Sequence, residues 1–291
     1  MINSYLFPAT VAEALEILKE YHGKARIIAG GTDLMLQINS GQKSPEILVD
    51  ISRLGELKQI KVENGYIFVG AAVTHNEIAS STFLQENVRC LTLAAEEVGS
   101  PQVRNTGTIG GNVVNAQPAA DTALALTALD AETEVVSENG SIWTKIPQLY
   151  EKPGVSKIDS TSQIVKSFRF RLPGKNIGTA YRRLGKCKSI ALPVLCSATV
   201  LGVTDNVIDY TAIALGPVAL APMRAKQAEA FLLGKKPTHE VFEEAASIAR
   251  SESNPRDSIL RCSKMYRENL VAILVETTLQ QALLNISERN I

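Results

Sequence analysis

The sequence predicts an α+β protein of two domains, and three observations carry that expectation. At 291 residues the chain reaches the limit at which a single hydrophobic core stops growing, roughly 250–300 residues. Helical spacing and strand-like alternation both recur along it. A Pro-Gly punctuation, Pro173-Gly174-Lys175-Asn176, separates one strand pattern from the next. The expected division is residues 1–174, with subdomains of about 1–55 and 56–174, followed by a C-terminal domain at 178–286.

The elements follow in order. Thr10-Val11-Ala12-Glu13 has the spacing of a capping box, and Val11, Ala14, Leu15 and Leu18 recur at helical intervals up to Tyr21. Residues 26–29 and 47–51 are short β-branched runs, so the opening reads as a small α/β unit. Residues 58–62 and 66–70 flank Asn64-Gly65, a pair suited to a tight hairpin turn. A helix over 83–98, a polar loop over 99–120 and a short apolar helix capped by the Asp121 carboxylate come next. Residues 132–136 and 142–145 bracket a second Asn-Gly turn at Asn139-Gly140. Phe168, Phe170 and Leu172 alternate with Arg169 and Arg171, a strand with one wet face. Beyond the linker, strands are predicted over 179–184, 194–203 and 207–215. Helices then follow over 223–233, from Thr238, and over 258–284. The C-terminal domain is thus an antiparallel sheet packed with three helices.

Composition excludes several roles. Lys plus Arg equals Asp plus Glu at 30 each, so no global field holds a polyanion and a nucleic-acid partner is not expected. No leader pattern opens the chain, and no uninterrupted apolar run approaches the ~20 residues of a membrane span. A cytoplasmic protein with no membrane partner is expected. Cys90, Cys187, Cys196 and Cys262 lack zinc or iron–sulfur spacing and read as reduced thiols, so no metal ligands are assigned.

Two glycine-bearing segments carry the chemistry. Ile27-Ile28-Ala29-Gly30-Gly31-Thr32-Asp33-Leu34 puts two glycines at a strand end, where backbone N–H groups can approach an anion. The alternative is an ordinary strand-to-helix turn. Residues 100–121 are rich in Gly, Asn, Thr, Pro and Gln, and a polar loop of that length is usually functional. Gly107, Gly110 and Gly111 offer backbone donors there, Asn112 and Asn115 both donate and accept, and Asp121 can receive a ribose or ribityl hydroxyl. The alternative is a surface loop with no ligand. Two anion nests suit a ligand with a pyrophosphate in its middle.

These segments are similar to the paired FAD-binding motifs of the molybdenum hydroxylase flavoproteins, the xanthine dehydrogenase and carbon monoxide dehydrogenase type. Thr108-Ile109-Gly110-Gly111-Asn112 matches the second motif, with Asp121 at its expected offset. The likeness extends from Tyr5-Leu6-Phe7-Pro8 through Pro101-Gln102-Val103-Arg104-Asn105 to Arg182-Arg183-Leu184 and Gly216-Pro217. The resemblance implies a two-part FAD-binding domain of the vanillyl-alcohol-oxidase type, with further cofactor contacts at Val98, Ala191 and Leu192. It implies non-covalent FAD, because His22, His75 and His239 lie outside both segments. It also implies partner subunits that hold a molybdopterin cofactor and [2Fe–2S] clusters, with NAD or another acceptor receiving the electrons. Xanthine or another N-heterocycle is the substrate it favours. No catalytic acid or base is required of this chain, since flavin performs the redox steps.

Other residues read more plainly. His75 is expected to be a helix-start residue, Trp143 to be packing, and Cys187 to sit in a solvated basic loop. Arg182, Arg183 and Lys186 are strand-end charges that can attract an anionic acceptor. Two other functions remain open at this point: a self-contained FAD oxidase or dehydrogenase, and a non-catalytic nucleotide-binding module.

Overall fold

The computed structural model describes residues 2–186, 192–259 and 262–289. Its first unit comprises β1 (Ser4–Leu6), α1 (Val11–Glu20), β2 (Ala25–Ile28), α2 (Leu34–Asn39) and β3 (Ile47–Asp50). The strands form a parallel sheet in the order β1-β3-β2. α1 starts as its sequence requires, because Thr10 Oγ1 accepts the Glu13 N–H at 3.1 Å. The Glu13 carboxylate reaches back to the Ala9 N–H at 2.6 Å. Val11, Ala14 and Leu18 form the buried stripe of this helix.

The second unit opens with the hairpin β4 (Ile60–Glu63) and β5 (Tyr66–Gly70), turned at Asn64-Gly65 with φ of 51° and 77°. Six short helices follow: α3 (His75–Ala79), α4 (Thr82–Asn87), α5 (Arg89–Glu96), α6 (Pro101–Thr106), α7 (Ile109–Val114) and α8 (Asp121–Ala128). The strands β6 (Glu132–Ser137), β7 (Gly140–Lys145), β8 (Tyr150–Lys152), β9 (Val155–Ser156) and β10 (Ile164–Arg171) complete it. β4-β5-β10-β6-β7 make one antiparallel sheet, while β8 and β9 pair by themselves.

Two expectations fail here. The helix expected over 83–98 breaks at Val88, whose φ of −140° and ψ of 57° separate α4 from α5. The segment expected to be loop contains α6 and α7. Ser100 caps α6 by accepting the Val103 N–H, with Pro101 at the first helical position, and Thr108 caps α7 by accepting the Gly111 N–H. Both are ordinary start signals that the glycine and asparagine content obscured.

The C-terminal unit has β11 (Ile177–Gly185), β12 (Pro193–Thr204), β13 (Val207–Gly216), β14 (Met223–Arg224), α9 (Lys226–Leu232), α10 (His239–Glu252) and α11 (Lys264–Arg289). The strands form an antiparallel sheet in chain order. One face carries α9, α10 and α11. α11 is long and apolar enough to cross a membrane by length and composition, but half of its apolar stretch is buried, and it packs on β11 and β12. That is the pattern of a core helix.

The opposite face of this sheet closes over α5 and α8. One continuous core joins Ile67, Val69, Phe168 and Phe170 of the central sheet to Leu124 and Leu126 of α8 and to Ala198, Val200 and Ala212 of the C-terminal sheet. α8 is buried at every position, with Asp121, Thr122 and Thr127 among the buried residues, and its alanines let it fit between layers. Nearly all of β12 is buried as well, enclosed on both faces.

Phe168 is fully buried at the centre of this core. Phe168→Ala is expected to lower unfolding stability in urea by about 3–5 kcal/mol through cavity formation. Ile142→Ala, at a residue 60% exposed, should stay within about 0.5 kcal/mol of the parent.

Candidate functional site

β2 ends at Ile28, whose carbonyl accepts the Ile51 N–H at 3.0 Å, and the chain then turns through Ala29, Gly30 and Gly31 into α2. Gly31 has φ of +67°, the left-handed region that a side chain would strain. The N–H groups of Gly30, Gly31, Thr32 and Asp33 donate to no acceptor among the described residues. Consecutive unpaired backbone donors make a concavity for an anion.

The second segment behaves differently from its sequence reading. Gly107 N–H donates to Val103 O, Gly110 N–H to Ala71 O at 2.9 Å, and Gly111 N–H to Thr108 Oγ1 at 3.1 Å. These donors are already used, so the expectation that they cradle the ligand is corrected. The absence of side chains there serves close packing instead. A Cβ on Gly110 would stand 2.7 Å from Ala71 O, and a Cβ on Gly30 would stand 2.0 Å from Thr106 O. The two segments thus meet backbone against backbone.

Between them lies a cavity of about 360 Å³. Ile27, Ile28, Ala29, Gly30, Gly31, Thr32, Asp33, Leu34, Val98, Thr108, Gly110, Gly111 and Asn112 all line it. Ile109 does not, being buried in the central core with its N–H on Val73 O. Asn112 Oδ1 accepts from Thr122 Oγ1 at 2.8 Å and from Ala123 N at 3.3 Å, which leaves its amide NH₂ without a partner among the described residues. Leu192 is 60% exposed and outside the lining, and Ala191 and Cys187 lie outside the described residues.

A third wall was not foreseen. Residues 154–156 and 158–165 contribute several lining positions, held in place by Ile27 N–H donating to Ser160 O and Gly154 N–H donating to Ala116 O. No local motif marks this stretch. Arg26 and Lys43 also line the cavity, and burial followed by the nearby Arg26 charge lowers the Lys43 pKa.

His75 holds two positions, of which its sequence shows only the helix start. It does start α3, behind a capping box in which Thr74 Oγ1 accepts the Glu77 N–H and Thr74 N–H donates to the Glu77 carboxylate at 2.7 Å. It also lines the cavity while only 2% exposed. Burial, and then the charge of Arg104, pushes its pKa down to about 4, so the imidazole is neutral at pH 7. Its Nδ1 is sealed off with no hydrogen-bond partner, a burial that costs about 1–3 kcal/mol.

Asp121 sits beside the cavity, not on its lining. The cap expected from its carboxylate is supplied by Asn112 Oδ1, which takes the Ala123 N–H. The Asp121 carboxylate instead turns to the C-terminal sheet, where Oδ1 accepts from Tyr181 Oη and Cys196 Sγ, with Arg183 at 3.8 Å from Oδ2. Burial raises its pKa to about 6, against the opposing pull of Arg183. Arg183 also bonds Glu97 O, and Lys186 Nζ donates to Ile259 O at 3.2 Å, so both strand-end cations have structural partners. Trp143 packs as expected, under Arg169 at 3.9 Å and edge-on to Phe68.

Residues 1–173 match the family model described as the FAD-binding domain in molybdopterin dehydrogenase, and residues 180–282 match the carbon monoxide dehydrogenase flavoprotein C-terminal domain. The chain belongs to the FAD-binding subunits of the molybdenum hydroxylases. It is 34% identical to a nicotinate dehydrogenase FAD-subunit from Eubacterium barkeri over 248 residues, 84% of each chain. It is 29% identical to a caffeine dehydrogenase subunit beta from a Pseudomonas species over 232 residues, 79% of this chain and 78% of the relative. The solved carbon monoxide dehydrogenase of Hydrogenophaga pseudoflava, in a form lacking the Mo-pyranopterin moiety, superposes with a TM-score of 0.90 at 28% identity, covering 98% of each chain.

The residues present fit the FAD such a subunit binds. Unpaired N–H groups answer a diphosphate, and a Cβ at Gly30 would close the contact that brings the walls together. The buried carboxyl yields a pH prediction. Because the folded pKa of Asp121 lies above the ordinary 3.8, the folded state binds the extra proton between pH 3.8 and about 6. Its contribution to stability therefore falls as pH rises through that window, by on the order of 3 kcal/mol. Asp121→Asn keeps an oxygen for Tyr181 and should flatten that part of the pH–stability curve, measured by urea unfolding at pH 4, 5 and 6.

Proposed function

We propose that this chain is the electron-transfer subunit of a heteromeric molybdenum hydroxylase. FAD, when bound, supplies redox chemistry that takes electrons from [2Fe–2S] clusters in one partner subunit and delivers them to an acceptor such as NAD, while another partner holds the molybdenum cofactor. The observation that carries this reading is the run of unpaired N–H groups from Gly30 to Asp33 at the wall of a cavity within a flavoprotein-family fold.

In this reading the chain's own residues bind, orient and exclude water. The 30–33 nest holds the diphosphate, and Asn112 offers its amide NH₂ to the same ligand. Ile27, Ile28, Ala29, Leu34, Thr108, Gly110 and Gly111 shape the walls, with Val98 in the same lining. The family likeness adds Leu192, on the C-terminal side of the boundary at residues 174–178, as a residue exposed beside the bound cofactor. Asp121 acts through the seam between the domains. The cytoplasm is the proposed compartment. The substrate is chosen in the molybdenum subunit, and an N-heterocycle, of which xanthine is one, is the class supported by the nicotinate and caffeine relatives.

Acid precipitation of the purified chain should release about one FAD per chain into the supernatant, identified by mass. Gly30→Ala forces Cβ against Thr106 O and should lower the FAD content by roughly tenfold or more, whereas Ile142→Ala, at an exposed position of β7 outside the lining, should not. Purification from the native host should bring two further chains with the flavoprotein. A colourless protein that takes up no added FAD with its partners present overturns the reading. A chain that oxidises substrate unaided points instead to a self-contained flavin dehydrogenase.

A further inference from the structure

His75 lies where three elements meet. Its N–H donates to Gly107 O at 3.0 Å, and a Cβ built on Gly107 would sit 3.4 Å from the imidazole Cδ2 and 3.7 Å from Thr32 Oγ1. The imidazole and Thr32 of the unpaired 30–33 nest thus both border Gly107, and both residues line the cavity. Arg104 is the charged group acting on it, and that guanidinium is engaged elsewhere, donating to Val98 O and Gly99 O.

The ring's two nitrogens have different surroundings. Nδ1 is sealed and has no partner. Nε2 also has no hydrogen-bond partner among the described residues, yet it is not among the sealed atoms, so it is the ring nitrogen that keeps some exposure in a residue lining the cavity. A neutral imidazole carries one proton, and the choice of nitrogen follows from that asymmetry. A buried N–H with nothing to donate to is rarer and more costly than a buried lone pair with nothing to accept, so the proton belongs on Nε2. His75 therefore presents an N–H donor to the cavity. Phenylalanine would fill the same volume with no orphan nitrogen, so packing gives no reason for the imidazole.

We propose that His75 is a cofactor-binding residue whose Nε2–H donates to the diphosphate of bound FAD, adding a side-chain donor to the backbone nest of Gly30 to Asp33. The inference rests on the reading of the chain as a flavoprotein. It requires no charge on the ring and no change of protonation on binding.

Amide substitutions separate the two nitrogens, because the glutamine amide reaches to the place of Nε2 and the asparagine amide to that of Nδ1. The full chain would be stripped of flavin and titrated with FAD, following fluorescence quenching, for the parent and for His75→Gln, His75→Asn and His75→Phe. The melting temperature of each flavin-free form reports folding separately. Losing one hydrogen bond to a charged group should weaken FAD binding roughly ten- to a hundredfold in the Phe and Asn variants, with Gln restoring most of it. ADP, used as a competitor, should lose affinity by a similar factor, and the ³¹P resonances of bound FAD should move in the Phe variant. Parental FAD and ADP affinity in His75→Phe overturns the proposal and assigns the ring to packing. If Phe fails to fold, Asn and Gln decide: equal affinity in both overturns it. A parent chain that binds no FAD fails at the flavoprotein reading itself, before any variant is compared.

Discussion

Gly30 and Thr106 touch backbone to backbone, in a space that admits no Cβ. That contact sets the distance between the parallel-sheet unit and the helical segment of the central unit, and so sets the cavity between them. It also divides labour between two segments that look alike in sequence. The first packs against Thr106 without hydrogen bonding to it, and the N–H groups of Gly30 to Asp33 stay unpaired among the described residues. The second is pinned to the central sheet by Gly110 on Ala71 O and Ile109 on Val73 O, and serves as the anvil against which the first is placed. A flexible pair of loops would leave the nest without a fixed aim, whereas preorganised donors do not have to be ordered when the ligand arrives.

The seam between the domains is built on the opposite logic. Tyr181, Cys196 and Arg183 bring polar atoms from the C-terminal sheet to one carboxylate at the start of α8. Around this cluster the packing is alanine, leucine and valine. A buried carboxyl with two short-range donors and a nearby guanidinium fixes the register of one domain on the other more narrowly than apolar contact does, at a cost in stability that depends on protonation. The thiol of Cys196 and the phenol of Tyr181 are pushed upward in pKa by burial and then by Asp121, so both remain donors at neutral pH.

Much of this was legible in the sequence, and the illegible parts share a cause. Asn64-Gly65, Thr10 with Glu13, and the Phe168–Phe170 alternation are local signals, and each specifies its element without help from distant chain. The Gly30-Gly31 and Thr108-to-Asn112 segments were legible as motifs for the same reason. What a motif does not carry is which of its N–H groups are already taken, because Ala71 and Val103 decide that for Gly110 and Gly107. The third wall, from Gly154 to Val165, has no signature, since it lines the cavity only through long-range bonds to Ile27 and Ala116. His75 looked like a helix-start residue and is one. Its second position, on the cavity, arises from the fold of β5 and α3 against α6. The break at Val88 and the capping of α8 by Asn112 are likewise tertiary outcomes that override local preference.

Asn112 belongs to the cavity wall with one end and to α8 with the other. Its oxygen holds the first turn of the helix on which the C-terminal sheet is seated, and its amide NH₂ is left for whatever occupies the cavity. A single side chain thus reaches both the cavity and the helix beneath the C-terminal sheet. A ligand that binds only the folded arrangement, present at a hundred times its Kd, adds about 2.7 kcal/mol to that arrangement. Because the oxygen of this side chain accepts and its NH₂ donates, the helix cap and a ligand make no competing demand on it.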